Sequence, residues 1–174
     1  ELERHIFHRE DILDNIQKEI TDFLGTVMTG SLQSEVAIRA RTLLRVADEL
    51  ESVSDDVAAL LKTLLRLRRN NFTISENGKR DILAVHDQIS EFCKYMEAAL
   101  SCEPNQAADH LLHMNADSSK IKSLIKRVRD GQIKRLEDNC VAPMKTVAYM
   151  DMLSAYTRIR GHLLNIGEAV GSKM

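Results

Sequence analysis

Between the turn "MTGS" at residues 28–31 and the polar break "RRNNFTIS" at residues 68–75 runs a stretch with neither proline nor glycine. Its apolar residues Val36, Ala40, Leu43, Ala47, Leu50, Val57, Leu61 and Leu64 keep a heptad-like rhythm that is interrupted only at Ser54. Strands alternate with period two and rarely exceed ten residues, so this spacing predicts a single helix of about 35 to 40 residues, roughly 55 Å long. A helix of that length needs neighbours of similar length to cover its apolar side. The fold is thereby restricted to long-helix architectures.

The rest of the chain supplies such neighbours. Ile6, Leu13, Ile16, Ile20, Phe23 and Val27 mark an earlier helix, which Gly30 closes while Ser31 caps the next. A third helix is expected from Ser75, whose hydroxyl can cap it, with Ile82, Val85, Ile89, Phe92, Met96 and Ala99 as the buried stripe. After the turn "SCEPN", Pro104 suits the first turn of a fourth helix facing inward through Leu111, Met114, Ile121, Leu124 and Val128. A break at "EDNCVAP" precedes a fifth, with Ala148, Met152, Ala155, Ile159, Ile166 and Val170 in register. Two prolines, seven glycines and 4% aromatics in 174 residues leave few turn or strand signals. The expectation is all-α: an antiparallel bundle of about five long helices forming one compact domain.

Basic and acidic residues number 24 and 26 and are well mixed, which gives no electrostatic case for nucleic acid as a partner. The run "RLRRNN" from Arg66 reads as the basic C-terminal end of a helix, where cations complement the macrodipole. Cys93, Cys102 and Cys140 form an odd set without a CxxC spacing and read as free thiols in a reducing, cytoplasmic setting. No window approaches the roughly 18 apolar residues of a membrane span. The opening "ELERHIFHRE" lacks methionine and is already in helical rhythm, so a larger protein is expected upstream.

Acidic residues sit beside the long seam. At about 100° per residue, Asp48, Glu51 and Asp55 fall within about 60° of one another, while Glu49 and Asp56 are expected to point towards solvent. Glu51 and Asp55 are one turn apart, an ExxxD pair, and Glu10 and Asp14 repeat that spacing beside Leu13 on the first helix. If the first two helices are antiparallel, the pairs can face each other across the groove. Bundle proteins hold iron, zinc or manganese with carboxylates arranged in this way. The alternative is a solvated face salt-bridged to Lys18, Arg41, Arg45 and Lys62. A second, weaker metal set is conceivable from His113, Asp117, His162 and Glu168, against the commoner case of surface residues on polar helix faces. There is no glycine-rich phosphate loop, GxSxG or HExxH, so enzymatic activity is not expected.

The segment "LLRVADELESVSDDVAAL" resembles the pattern close to "LERIGDHAxNIAE" that members of the PhoU family carry once in each of two three-helix repeats. Leu50, Glu51, Val53 and Asp55 match the first copy, and in "YTRIRGHLLNIGEA" the matches are Arg158, Ile159, His162, Asn165, Ile166 and Glu168. The resemblance spans essentially the whole chain. It implies an incomplete first repeat at residues 1–72, lacking its first helix, and a second repeat at 73–174. It also implies a role in phosphate signalling or transport, with Glu51 and Asp55 as the foremost metal ligands and Glu10 and Asp14 next. Thr157 and Gly161 stand where the family has Glu and Asp, which argues against a second carboxylate cluster.

Lacking that first helix, the chain is most similar to the PhoU-like domain at the C-terminus of bacterial sodium/phosphate cotransporters. That resemblance implies a regulatory domain on the cytoplasmic face of the inner membrane, with the upstream transporter membrane domain as partner. A free-standing PhoU-type regulator and a metal-free helical adaptor are the alternatives. Where the absent helix should lie, an exposed apolar surface is expected, and a second copy covering it would make a homodimer.

Overall fold

The computed structural model of the chain describes residues 1–31, 33–100, 107–138 and 143–171. Among these, five helices and no strands are found: α1 (Leu2–Met28), α2 (Ser34–Arg69), α3 (Glu76–Leu100), α4 (Ala107–Asp138) and α5 (Pro143–Gly171). The all-α bundle is as expected, and α2, at 36 residues, has the length its rhythm predicts. Pro104, Cys102 and Cys140, with most of the "SCEPN" and "EDNCVAP" stretches, lie outside the described residues.

Helix α5 is the axis of the molecule. It packs against α2, α3 and α4, and its buried residues Tyr149, Met152, Leu153, Ala155, Ile159, Leu163 and Ile166 span an arc of about 160°, a broad apolar face wide enough for several neighbours. Helix α3 meets it through Val85, Ile89, Phe92 and Met96, and α4 through Met114, Ile121, Ile125 and Val128. These are the stripes that the spacing foretells. Helix α2 lies on the other side of α5, and α1 packs against α2 alone among the described elements.

The termini of α2 and α3 follow from local chemistry. Asn71 adopts φ 51°, the left-handed conformation that Asn tolerates better than most residues. It lets the Phe72 N–H reach the Leu67 carbonyl at 2.9 Å and its own N–H reach Arg68 at 3.1 Å, a Schellman ending. Arg66, Arg68 and Arg69 occupy that last turn, as the sequence suggests. Ser75 Oγ accepts from the Gly78 N–H at 3.2 Å, which is the anticipated cap of α3. The start of α2 differs: Gln33, not Ser31, is its N-cap residue and makes no side-chain cap bond.

Orientation of α2 needs a larger correction. Val36, Leu43, Val57 and Leu64, expected to face the core, are 44%, 57%, 39% and 48% exposed. The core instead receives Leu67 with Val46, Val53 and Leu60, another series at seven-residue spacing on the side of α2 facing α5. A helix lying between two neighbours presents one stripe to each, with Ala40, Ala47 and Ala58 buried against α1. The third sector, carrying Val57 and Leu64, borders an apolar groove of about 570 Å³ between α2 and α3, floored by Met152, Tyr156 and Ile159 of α5. No Cα of α2 comes within 8 Å of one in α3.

Candidate functional site

The α1–α2 hairpin sets its own register through polar contacts. Gln17 Nε2 donates to Asp48 Oδ1 at 2.7 Å, Lys62 Nζ lies 3.5 Å from Glu10 Oε1, and Arg68 reaches Glu3 at 3.5 Å near the open end. This antiparallel pairing brings Asp14 of α1 to the level of Glu51 and Asp55 on α2. One carboxylate oxygen from each lies within 4.8 Å of the others, and this is the only such three-residue group among the described residues.

Three of the five foremost sequence candidates thus converge. Asp14 and Asp55 are exposed and Glu51 is half-buried. Burial raises the Glu51 pKa most; the nearby Asp55, Asp14 and Asp48 charges raise it further, against a hydrogen bond from Ser52 that lowers it. Glu10 and Asp48 stand beside the cluster but are engaged, by Lys62 and Gln17 respectively. Three carboxylates at the mouth of a two-helix groove are hard oxygen donors. Their chemistry suits manganese better than zinc, which favours His and Cys.

The second candidate set does not gather. His113 is exposed, with its ring edge-on to Tyr95 at 6.4 Å, and Asp117 pairs with Lys120 of its own helix at 2.8 Å. His162 faces α2, where its Nδ1 lies 2.7 Å from Glu49 Oε2 and its Nε2 lies 3.8 Å from Asp56. Glu168 is half-buried on α5, one turn beyond Asn165. These four do not come together as a group.

What sequence reasoning missed is a polar clasp at the centre of the α2–α5 interface. Asp56, placed towards solvent by the helical arithmetic, is buried at 7% exposure. It accepts from Arg158 Nε at 2.8 and 3.1 Å and from Arg158 Nη2 at 2.5 Å. Glu49, also assigned to solvent, is met by His162 and by Asn165 Nδ2 at 2.9 Å. The signal was present in Val46, Val53, Leu60 and Leu67: this second apolar stripe shares the Glu49/Asp56 side of the helix and marks it as covered. No helix among the described residues is long and apolar enough to cross a membrane.

No family model, no curated protein and no solved structure matches this chain.

Proposed function

We propose that the chain is a PhoU-like regulatory module of a sodium/phosphate cotransporter. In this reading it acts at the cytoplasmic face of the membrane on the transport domain that precedes it, without catalysing a reaction. One observation carries the reading. The two segments that resemble the PhoU pattern lie on α2 and α5, which pack together, and the residues marked by the resemblance in the second segment, Arg158, His162 and Asn165, hold Asp56 and Glu49 within the first. Two related half-domains joined through equivalent helices would produce this pairing.

Within this reading the Asp14, Glu51 and Asp55 cluster is the cation-responsive element. Bare carboxylates repel phosphate, so any phosphate would be held through a cation bound there. Occupancy would fasten α1 to α2 and so alter the surface offered to the transporter.

Phosphate uptake by cells carrying the full-length gene tests the regulatory role. Glu51→Gln/Asp55→Asn should change uptake while the membrane level of the protein stays constant; unchanged uptake at several external phosphate concentrations would sink the idea. Metal analysis after manganese, iron or zinc loading tests the cluster itself, with binding expected in the wild type and not in the double variant. The free-standing regulator is separated by the sequence upstream of Glu1: several spans of about 20 apolar residues support the transporter, and their absence excludes it.

A further inference from the structure

The uncovered side of the α1–α2 hairpin carries two stripes. On α1, His5, Arg9, Ile12, Ile16, Glu19 and Phe23 follow one another at alternating spacings of four and three, within an arc of about 80°. All six are exposed, Phe23 at 67%. On α2 the exposed Val36, Leu43, Val57 and Leu64 lie within a similar arc of about 80°, in a seven-residue series whose middle member, Leu50, is half-buried and packs against the core. The α1 stripe lies about 140–180° around its helix from Asp14, and the middle of the α2 stripe about 100–140° around from Glu51 and Asp55. Since those acids meet on one side of the hairpin, both stripes share the opposite side.

Each stripe is self-complementary when reversed. Turned end for end about residue 14, the α1 stripe sets Ile12 against Ile16, Arg9 against Glu19 and His5 against Phe23. Turned about Leu50, the α2 stripe sets Leu43 against Val57 and Val36 against Leu64. The hairpin's register sets residue 14 opposite the stretch from Glu51 to Asp55, just beyond Leu50, as the Gln17–Asp48 and Glu10–Lys62 contacts on either side require. A two-fold axis perpendicular to the helices near that level brings the two α1 stripes together and lays the heptad series of α2 along its own copy. Neither Arg9 nor Glu19 has an ion-pair partner within its own chain among the described residues.

We propose that this face binds a second copy of the chain, hairpin against hairpin, to form an antiparallel four-helix interface. The isologous geometry makes each contact twice, so both Arg9–Glu19 pairs form across the axis. The N-terminal half of the second copy's α2 enters the groove beside Val57 and Leu64, between α2 and α3. Heptad-spaced apolar seams take helices as their partners. The exposed apolar residues of the two stripes, with Leu83 on the groove wall, offer on the order of 400 Å² of apolar surface. That approaches the apolar share of the roughly 800 Å² that each partner of a stable complex contributes.

Sedimentation equilibrium of the purified chain tests the proposal. The wild type should dimerise reversibly. Arg9→Glu or Glu19→Arg alone should raise the dimer dissociation constant by about tenfold, since each places like charges together twice. The double swap Arg9→Glu/Glu19→Arg should return it towards the wild-type value, because the pairing is reciprocal. Circular dichroism confirms that each variant keeps its helices. A wild type that stays monomeric at every concentration, with the face covered by some other protein, overturns the proposal. So does a folded double swap as weak as the single variants. Mixed Ile12→Cys and Ile16→Cys chains should cross-link to each other faster than either does to itself, and the reverse order refutes the register.

Discussion

Asp56 on α2 and Arg158 on α5 stand 102 positions apart in the chain, yet two guanidinium nitrogens hold the one carboxylate. The pair is asymmetric in its surroundings. The Asp56 side chain is 9% exposed, whereas that of Arg158 is 53% exposed.

That asymmetry fixes the order of two mutational effects. Arg158→Met leaves a carboxylate buried without its principal partner and should cost about 2–3 kcal/mol, below the full penalty for a deeply buried pair because the arginine edge is wet. Asp56→Ala leaves a guanidinium that can turn into water, and should cost about 1 kcal/mol. His162 does not substitute, with its Nε2 at 3.8 Å from Asp56. Urea denaturation midpoints of the two variants check the ranking.

Glu51 supplies a pH signature. Its pKa is raised in the folded protein, first by burial and then by the neighbouring Asp55. A raised carboxyl pKa means that the favourable contribution is complete below the ordinary value of 4.5 and is lost as pH rises through the folded value. At neutral pH the ionised group is therefore a liability. Glu51→Gln should be more stable than the wild type at pH 7, by roughly 0.5–1 kcal/mol from two like-charge neighbours, and should converge with it near pH 4. Thermal melts across that range follow the effect, and a bound cation should reverse its sign.

Two glycines of α5 should respond oppositely to alanine. A Cβ on Gly161 would meet nothing within 4 Å, so Gly161→Ala should gain about 0.5–1 kcal/mol from helix propensity. At Gly167 the added carbon would lie 2.5 Å from Met114 Sδ and 2.6 Å from its Cε. Met114 is buried at 1% exposure, so its shift should outweigh the propensity gain and leave Gly167→Ala about 1 kcal/mol less stable. Shortening Met114 to Ala in the Gly167→Ala background should remove part of the clash, read as a positive coupling in a double-mutant cycle.

Cys93 lines the groove between α2 and α3. Burial raises its thiol pKa, which leaves less thiolate at any given pH. Alkylation at pH 8 should be slower than for an unfolded control, and slower still as protein concentration rises if the groove is covered by a second copy. Mass spectrometry of the Cys93 peptide over time measures both.

Helix positions and the buried stripes of α3, α4 and α5 were legible because a single period describes the side that each of them turns to the core. On α1 the expected stripe is divided: Ile6, Leu13, Ile20 and Val27 are half-buried, but Ile16 and Phe23 are exposed and Leu24 is buried in their place, because α1 has only α2 to pack against. Helix α2 was read correctly in length and incorrectly in orientation. Two interleaved heptad series, Val36 to Leu64 and Val46 to Leu67, are equally apolar, and spacing alone does not rank them. What decides between them is that α5 lies on one side and an open groove on the other, which is tertiary information. The same ambiguity sent Glu49 and Asp56 to solvent. The convergence of Asp14 with Glu51 and Asp55 was accessible because it needs only a short connection and an antiparallel pair.

The attachment of α1 has a dynamic corollary. With Leu24 as its one buried residue and α2 as its one neighbour, α1 can separate while α5 and the helices around it stay packed. It forms the weakest cooperative unit of the domain, and its amides should exchange with solvent through local opening rather than global unfolding. Any agent that grips α1, whether a cation between Asp14 and Glu51 or another hairpin, is then registered as slower exchange along 27 residues.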